Sequence, residues 1–477
     1  MLVLGSALVG CRTYNQRVAV PLSAFEQGNF SQAVKAFADP STTGSPFLSG
    51  VEAGMAAFVG GDFDAALVQF QLALAAAESV EERAVLGLSA MRELIATAAL
   101  NEGQSDYKGE GYERVMLHAM LGLSYLAQGR AESVLVESRR VDELLTTEEE
   151  LYETEYGAGG VGHLLSAIAY ELTGKPGEAY IDYKRLHEKG LGGGLVTSAL
   201  LRLSKGLGRQ DDLQRFTNEF GASEGAAQDV PDNWPSVVLI AGLGIGPSKN
   251  EFKIDVPAPD GVFSLAIPRF SSGRSSTQAL ELNFPVSNTR VRTALIENVS
   301  QVAKKNLEDR IALLTLRSAG RGLAKHQLAD QLRDNKRGEA LGIAADIFTV
   351  FTERADLRAW RTLPDSWVAA RAFLPPNEAV EIQLSEVGGD VVGVGTYQLA
   401  EGETMFILAR SLDSGLVAHA IGGELLVEAP PNPPQSASGS VGFPEQLPLN
   451  SLVPGAAAQR SQSSIQKGTV GTRIGID

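Results

Sequence analysis

Few residues in this chain combine the type and spacing that chemistry needs. Cys11 is the only cysteine among 477 residues. It closes an uncharged apolar run from Leu2 to Val9, with the small Gly10 just before it. That placement suits attachment of a lipid to the sulfur, although a buried cysteine after an apolar start is the other reading. Tyr107, Tyr112, Glu113 and His118 lie close together. They could form a polar pocket that holds a turn or a partner peptide, or His118, one turn after Arg114, could simply brace its helix. Asp356, Arg358 and Trp360 alternate along the chain. This spacing suits an arginine–carboxylate fork with the indole packed beside it, as a structural brace or a ligand site. No H-E-x-x-H motif is present, and no acidic pair stands in a recognisable catalytic setting. His118, His163, His187, His326 and His419 are far apart, so no Cys/His metal spacing exists. Neither a cofactor nor a metal is expected.

One stretch imitates a phosphate loop. Gly242-Leu243-Gly244-Ile245-Gly246-Pro247-Ser248-Lys249 is glycine-rich and ends in lysine. A phosphate loop must open a helix, whose amino end holds the anion. Here Glu251-Phe252-Lys253-Ile254-Asp255-Val256 follows and reads as a strand. A glycine-rich β-hairpin is expected instead.

Composition limits the partners. The formal charge is -16, which argues against nucleic acid, whose phosphates demand clustered Lys and Arg. Leu8-Val9-Gly10-Cys11 resembles the lipobox of bacterial lipoproteins. The resemblance implies cleavage before Cys11, diacylglyceryl transfer to its sulfur and acylation of the new amino terminus. Residues 1–10 are then the remnant of a signal peptide, although no Lys or Arg precedes the apolar run. Residues 11–18 are the expected lipidated tether. One acyl chain binds a membrane marginally, whereas two or more hold it stably. Arg12 rather than aspartate follows Cys11, which by the same resemblance implies the periplasmic face of the outer membrane. The apolar run is shorter than the roughly 20 residues of a spanning helix.

The elements that position these residues divide at about residue 232. Residues 19–232 carry a repeat. Gly54, Ala57, Gly61, Phe63, Ala66, Phe70 and Ala73 match the tetratricopeptide (TPR) register. Gly122, Tyr125, Gly129, Ala131, Val134, Ser138 and Val141 repeat it, as do Ala167, Tyr170, Gly174, Pro176, Ala179, Tyr183 and Leu186. Gly28, Phe30, Ala33 and Phe37 form a partial earlier copy. Small residues let paired helices approach, glycine turns the chain, and aromatics fill the gap beside the alanines. Such hairpins bury their apolar sides only against neighbours, so they must stack. The interval from Gly61 to Gly129 fits two repeats, which predicts a degenerate helical pair around Ala84–Leu100. The acidic run from Asp142 to Glu155 reads as a solvated helix face or loop, or a site for a basic partner.

Residues 233–428 read as an α+β domain: antiparallel, sandwich-like strands with a long helical insertion. Strands are expected at Ser236–Ile240, Glu251–Val256, Gly261–Pro268, Ala279–Phe284, Trp367–Phe373, Ala379–Leu384, Thr396–Leu399, Glu403–Arg410 and Gly415–Ala420. Between Arg290 and Ala355 the period becomes helical, with Ile296, Val299, Val302 and Ala303 on one face. Lys and Arg concentrate from Lys304 to Arg337. They read as a solvated face, or as a contact for the acidic helical half or an anionic envelope polymer. Residues 429–477 are rich in Pro, Ser, Gln and Gly, and disorder is expected there.

Two segments carry a wider resemblance. Tyr107-Lys108-Gly109-Glu110, Tyr112-Glu113-Arg114-Val115, His118, Leu121 to Leu126 and Glu137-Ser138-Arg139-Arg140 form the first. Glu353-Arg354-Ala355-Asp356-Leu357-Arg358, Trp360-Arg361 and Leu363-Pro364 form the second. Together they resemble a family of bacterial TPR-containing outer-membrane lipoproteins of unassigned activity. The likeness covers roughly 20–425. It departs at Arg114, where the family has lysine, and at Ala119, where an aromatic is common. Genes of that family often lie beside a lipoprotein activator of penicillin-binding proteins. The resemblance implies a lipid-anchored, non-enzymatic scaffold that binds a protein partner in the cell envelope, with a connection to peptidoglycan synthesis. An enzyme acting on an envelope polymer, or a glycan- or solute-binding lipoprotein, is the alternative.

Overall fold

Paired helices occupy the first half of the computed structural model and mixed β-sheets the second. The structure describes residues 13–86, 107–152, 157–221, 230–231, 233–258, 261–318, 355–387, 389 and 391–429. Cys11, most of the Ala84–Leu100 stretch and residues 430–477 lie outside them.

The helices are α1 (Tyr14–Glu26), α2 (Phe30–Phe37), the single turn α3 (Pro40–Thr43), α4 (Pro46–Val59) and α5 (Phe63–Leu86). After these come α6 (Gly111–Ala127), α7 (Ala131–Tyr152), α8 (Gly160–Leu172), α9 (Pro176–Glu188), α10 (Gly193–Gly206) and α11 (Gln210–Phe220). Helix α1 begins inside the stretch expected to be a tether, because Thr13 and Gln16 form a reciprocal capping box. The described helices pair as α1/α2, α4/α5, α6/α7, α8/α9 and α10/α11. The same turn closes all five pairs. A glycine with positive φ stands at 28, 61, 129, 174 and 208. The residue after it donates its N–H to the carbonyl five positions back: Asn29 to Ala24, Asp62 to Ala57, Arg130 to Tyr125, Lys175 to Tyr170 and Arg209 to Ser204. Four of these glycines belong to the repeat read from sequence; Gly208 adds a fifth hairpin. At Gly54 a Cβ would stand 2.6 Å from the Phe70 ring, so the small residue is what lets α4 and α5 touch.

Hairpins α4/α5 and α6/α7 are direct neighbours. Gln71 of α5 donates to the Tyr125 hydroxyl of α6 at 3.2 Å, and Arg114 of α6 pairs with Glu81 of α5 at 2.6 Å.

The strands are β1 (Ser236–Leu243), β2 (Lys249–Ala258), β3 (Gly261–Phe270), β4 (Leu280–Phe284), β5 (Thr289–Arg292) and β6 (Ala294–Asn298). Helix α12 (Val299–Ser318) intervenes. Then come β7 (Ser366–Phe373), β8 (Ala379–Glu386), β9 (Val391–Gln398), β10 (Thr404–Leu412), β11 (Gly415–Ile421) and β12 (Glu424–Glu428). The first sheet runs β11-β10-β1-β7-β6 and the second β12-β9-β8-β4-β5, with β2-β3 as a separate ribbon.

Three details differ from the sequence reading. The first sheet is mixed, because β1 pairs parallel with β10 from Ser236↔Thr404 to Leu243↔Ser411. Residues Arg290 to Asn298 are strands β5 and β6, so Ile296 belongs to a sheet and not to the helix that follows. Gly242–Lys249 is not the loop of a hairpin; it carries the chain from β1 in the first sheet to β2 in the ribbon.

Every residue of β1 is buried, because layers cover both its faces. Val237, Leu239 and Ala241 face the second sheet, against Leu282, Ile382 and Leu384. Val238 and Ile240 face the other way and join the core of the helices, with Trp360, Trp367 and Leu408. Helices, first sheet and second sheet therefore form three layers. The 19–232 and 233–428 stretches differ in secondary structure but share one apolar core.

Candidate functional site

Between helices and first sheet lies a buried polar seam built on glutamates. Helix α4 is apolar on all sides except for one charge, Glu52, which is 0% exposed. Its carboxylate accepts the Tyr14 hydroxyl at 3.0 Å and the backbone N–H groups of Arg361 at 2.6 Å and Thr362 at 2.9 Å. Glu113, also 0% exposed, opens α6. It accepts from the Tyr107 hydroxyl at 2.6 Å, the Tyr112 hydroxyl at 3.2 Å, its own helix start at Glu110 N–H, 3.0 Å, and Trp360 N–H at 2.7 Å. Two helices thus hold one segment, 360–362, by its backbone.

Glu297 of β6 does the same in reverse. It accepts the N–H of Val161 at 3.1 Å and of Gly159 at 3.4 Å. Those groups form the amino end of α8, whose unpaired donors favour an anion. Burial pushes both Glu113 and Glu297 up to about 7. For Glu113 the neighbouring Glu110 charge adds to burial, and Lys249 opposes it. Burial raises Glu52 as well.

Cations complete the seam. The Lys249 ammonium bonds the Glu110 carboxylate, with 2% and 3% of the two side chains exposed. It lies 5.5 Å from the Phe270 ring centre and 6.0 Å from that of Tyr107. Arg310 of α12 reaches the same Glu110 oxygen at 3.2 Å, so part of the basic stretch does contact the helical half. Glu148, inside the acidic run expected to be solvated, is buried. It pairs with Arg114 at 3.0 Å and fills the space left by Gly111, where a Cβ would meet it at 2.2 Å. Glu171 of α8 meets Arg371 of β7 at 2.9 Å and Arg202 of α10 at 2.7 Å. Burial works to raise Glu171, but the two guanidinium groups win and hold it at about 2.

The seam gathers most of the residues singled out from sequence. Tyr107, Tyr112 and Glu113 meet there. Asp356 and Arg358 form the expected fork, with Arg358 Nη2 on Asp356 Oδ2 at 2.8 Å and Nε on Oδ1 at 3.0 Å. The ring beneath the guanidinium is Tyr107, at 4.8 Å. The Trp360 indole packs on Phe70, ring centres 6.1 Å apart, and donates to Thr362 at 3.0 Å. His118 points elsewhere: its Nδ1 lies 2.7 Å from Glu137 of α7. It lines a groove of about 480 Å³ between α5, α6 and α7. Leu74, Ala77, Leu117, Val136 and Leu144 form the apolar part, and Glu78, Glu81, Glu137 and Glu143 the acidic part, with Arg114 and Arg140.

The chain matches no protein-family model and no curated protein. Two solved structures are similar over part of it. The MamA protein is 11% identical over 45% of this chain and 90% of its own, with a TM-score of 0.29. Pseudomonas aeruginosa pilF is 16% identical over 44% of this chain and 94% of its own, with a TM-score of 0.23.

Chemically, the seam brings two carboxylates, Glu110 and Glu113, into one place. Glu113 has its oxygens engaged by hydroxyl and backbone donors, and neither side chain opens to solvent. Among the described residues no three of His, Cys, Asp and Glu gather as a metal set, and no helix is long and apolar enough to cross a membrane. Sequence reasoning missed Glu52, Lys249 and Glu297. Glu52 had a signal: it is the lone charge in an otherwise apolar fourteen-residue helix.

Proposed function

We propose that this chain is a lipid-anchored periplasmic lipoprotein that serves as a TPR-like protein-interaction scaffold in the bacterial envelope, connected to peptidoglycan synthesis. The observation that carries the scaffold reading is the groove between α5, α6 and α7. Its size falls within the range of ligand sites, part of its lining is apolar, and carboxylates outnumber cations along it. An apolar, basic segment of a partner fits that lining. The repeated helical hairpins support the same reading, since such stacks present extended surfaces to partners. The lipobox resemblance at Leu8–Cys11 supports the anchor, and the family resemblance supports the link to wall synthesis. A polymer-cleaving enzyme needs an accessible acid–base pair, and the Glu110–Glu113 pair is sealed in the seam.

Two measurements test this. Labelled palmitate is incorporated into the wild-type chain and not into Cys11→Ala; equal labelling removes the anchor from the proposal. Crosslinking followed by affinity purification recovers one envelope machine as the dominant partner, and Glu78→Lys with Glu143→Lys reduces that recovery. Turnover of envelope polymer by purified protein, with no protein partner, overturns the scaffold reading.

A further inference from the structure

We propose that the small cavity between α4 and the first sheet, walled in part by Arg410 and Trp367, binds a halide-sized anion. The proposal goes beyond the groove reading and does not depend on it.

Strand register brings the two residues together. Arg410 of β10 and Trp367 of β7 both stand opposite Gly242 of β1, one on each side. Residues at one level across a sheet share a face, and here that face turns toward the helices. Gly242 has no side chain to fill the space between them; a Cβ there would stand 2.9 Å from Arg410 Nη1. Arg410 and Trp367 are each 2% exposed.

Arg410 is buried without a counter-ion. Its Nη2 donates to the carbonyls of Gly244 at 2.7 Å and Thr362 at 2.9 Å. Its guanidinium carbon lies 5.6 Å from the Phe25 ring centre. Carbonyls and a ring orient the group but do not cancel its charge. Among the described residues Arg410 Nε and Nη1 have no hydrogen-bond partner, and neither has Trp367 Nε1. Burial pushes the guanidinium down to about 9 with no acidic group opposing it, so it stays charged at neutral pH. A buried charge and buried donors without partners are costly, and an acceptor of negative charge relieves both.

The cavity selects the occupant. Its volume is about 10 Å³, room for one atom-sized guest. Carboxylates and phosphates are too large. Met55 and Phe58 of α4 with Leu408 and Val417 of the sheet make the apolar wall. His419, also in the wall, uses its Nε2 on the Val59 carbonyl at 2.9 Å. No lining residue has a side-chain oxygen. A water there would find donors but no side-chain oxygen for its own hydrogens, whereas an anion only accepts. A monatomic anion satisfies charge, donors and size together.

The test uses the full chain. Thermal melts compare sodium chloride with sodium gluconate at equal ionic strength, and crystals soaked in bromide locate the ion by its anomalous signal. Chloride alone is expected to raise the melting temperature, with saturation, and the bromide peak is expected beside Arg410 and Trp367 Nε1. Trp367→Phe keeps a ring in the wall and removes the N–H. It is expected to need about tenfold more chloride for the same rise. Arg410→Met is expected to lose the response; if it does not fold, Trp367→Phe decides alone. The proposal is overturned by equal effects of the two salts, by an unchanged chloride response in Trp367→Phe, or by a water or a segment of the chain itself at the site. A bromide peak without a chloride effect on melting is an adventitious ion only, and overturns it too. Any of these results leaves the groove reading standing.

Discussion

Glu113 and Trp360, 247 positions apart, are joined by a 2.7 Å hydrogen bond from the Trp360 backbone N–H to the Glu113 carboxylate. No side chain at 360 is needed to make that bond. The helical half holds the segment by its main chain, and Glu52 repeats the grip on the next two residues. Glu113→Ala strands several buried donors, each costing about 1–3 kcal/mol. A loss of at least about 3 kcal/mol in urea unfolding is expected, with faster proteolysis within 355–365. Unchanged stability would show that the seam is incidental.

Glu297 makes stability depend on pH. Its folded pKa, about 7, is above the ordinary 4.5. A raised carboxylate contributes fully below the ordinary value, and that contribution is lost as pH rises through the folded value. Glutamine at 297 does not titrate. The stability of wild type relative to Glu297→Gln should therefore fall between pH 5 and pH 8, by on the order of 3 kcal/mol. A gap that widens in favour of wild type as pH rises would contradict this.

Arg371→Met leaves Glu171 buried with Arg202 as its remaining ion-pair partner. Removing one member of a buried pair costs about 3–5 kcal/mol. Because Glu171 is held at about 2, its favourable pairing is present above the ordinary carboxylate value and lost only as pH falls through 2. The wild-type advantage over the variant should stay level from pH 6 to pH 8 in thermal melts, unlike the Glu297 case.

Gly54→Ala tests helix approach. The added methyl stands 2.6 Å from Phe70, and overpacking of this kind costs about 1–3 kcal/mol. Phe70→Leu opens room beside it, so the double variant should lose less than the sum of the two single losses. Strict additivity would show that the two residues do not meet.

The repeat at Gly54, Ala57, Gly61 and Phe70 was legible because its partners lie within one hairpin and leave a periodic trace. Strand positions were legible for the same reason. The parallel pairing of β1 with β10 was not, since it joins Ser236 to Thr404 and no local pattern reports so distant a neighbour. Lys249 was read as the end of a glycine-rich loop; nothing beside it names Glu110, 139 positions earlier. The cluster at 107–113 and the fork at 356–358 were each visible, but their meeting was not.

The β1–β10 pairing and the Glu113–Trp360 bond together set an order of events during synthesis. A chain emerging amino end first completes its helical hairpins while three donors for Glu52 and Glu113, the N–H groups of Trp360, Arg361 and Thr362, are still unmade. The carboxylates keep the hydroxyls of Tyr14, Tyr107 and Tyr112, water stands in for the missing backbone donors, and the face that carries them stays wet until residue 362 arrives. The first sheet must wait longer still, because the second neighbour of β1 ends at Leu412. Made alone, the helical half would be a nascent fragment with an unfinished wall, a client for a chaperone until its own carboxyl-terminal half covers it.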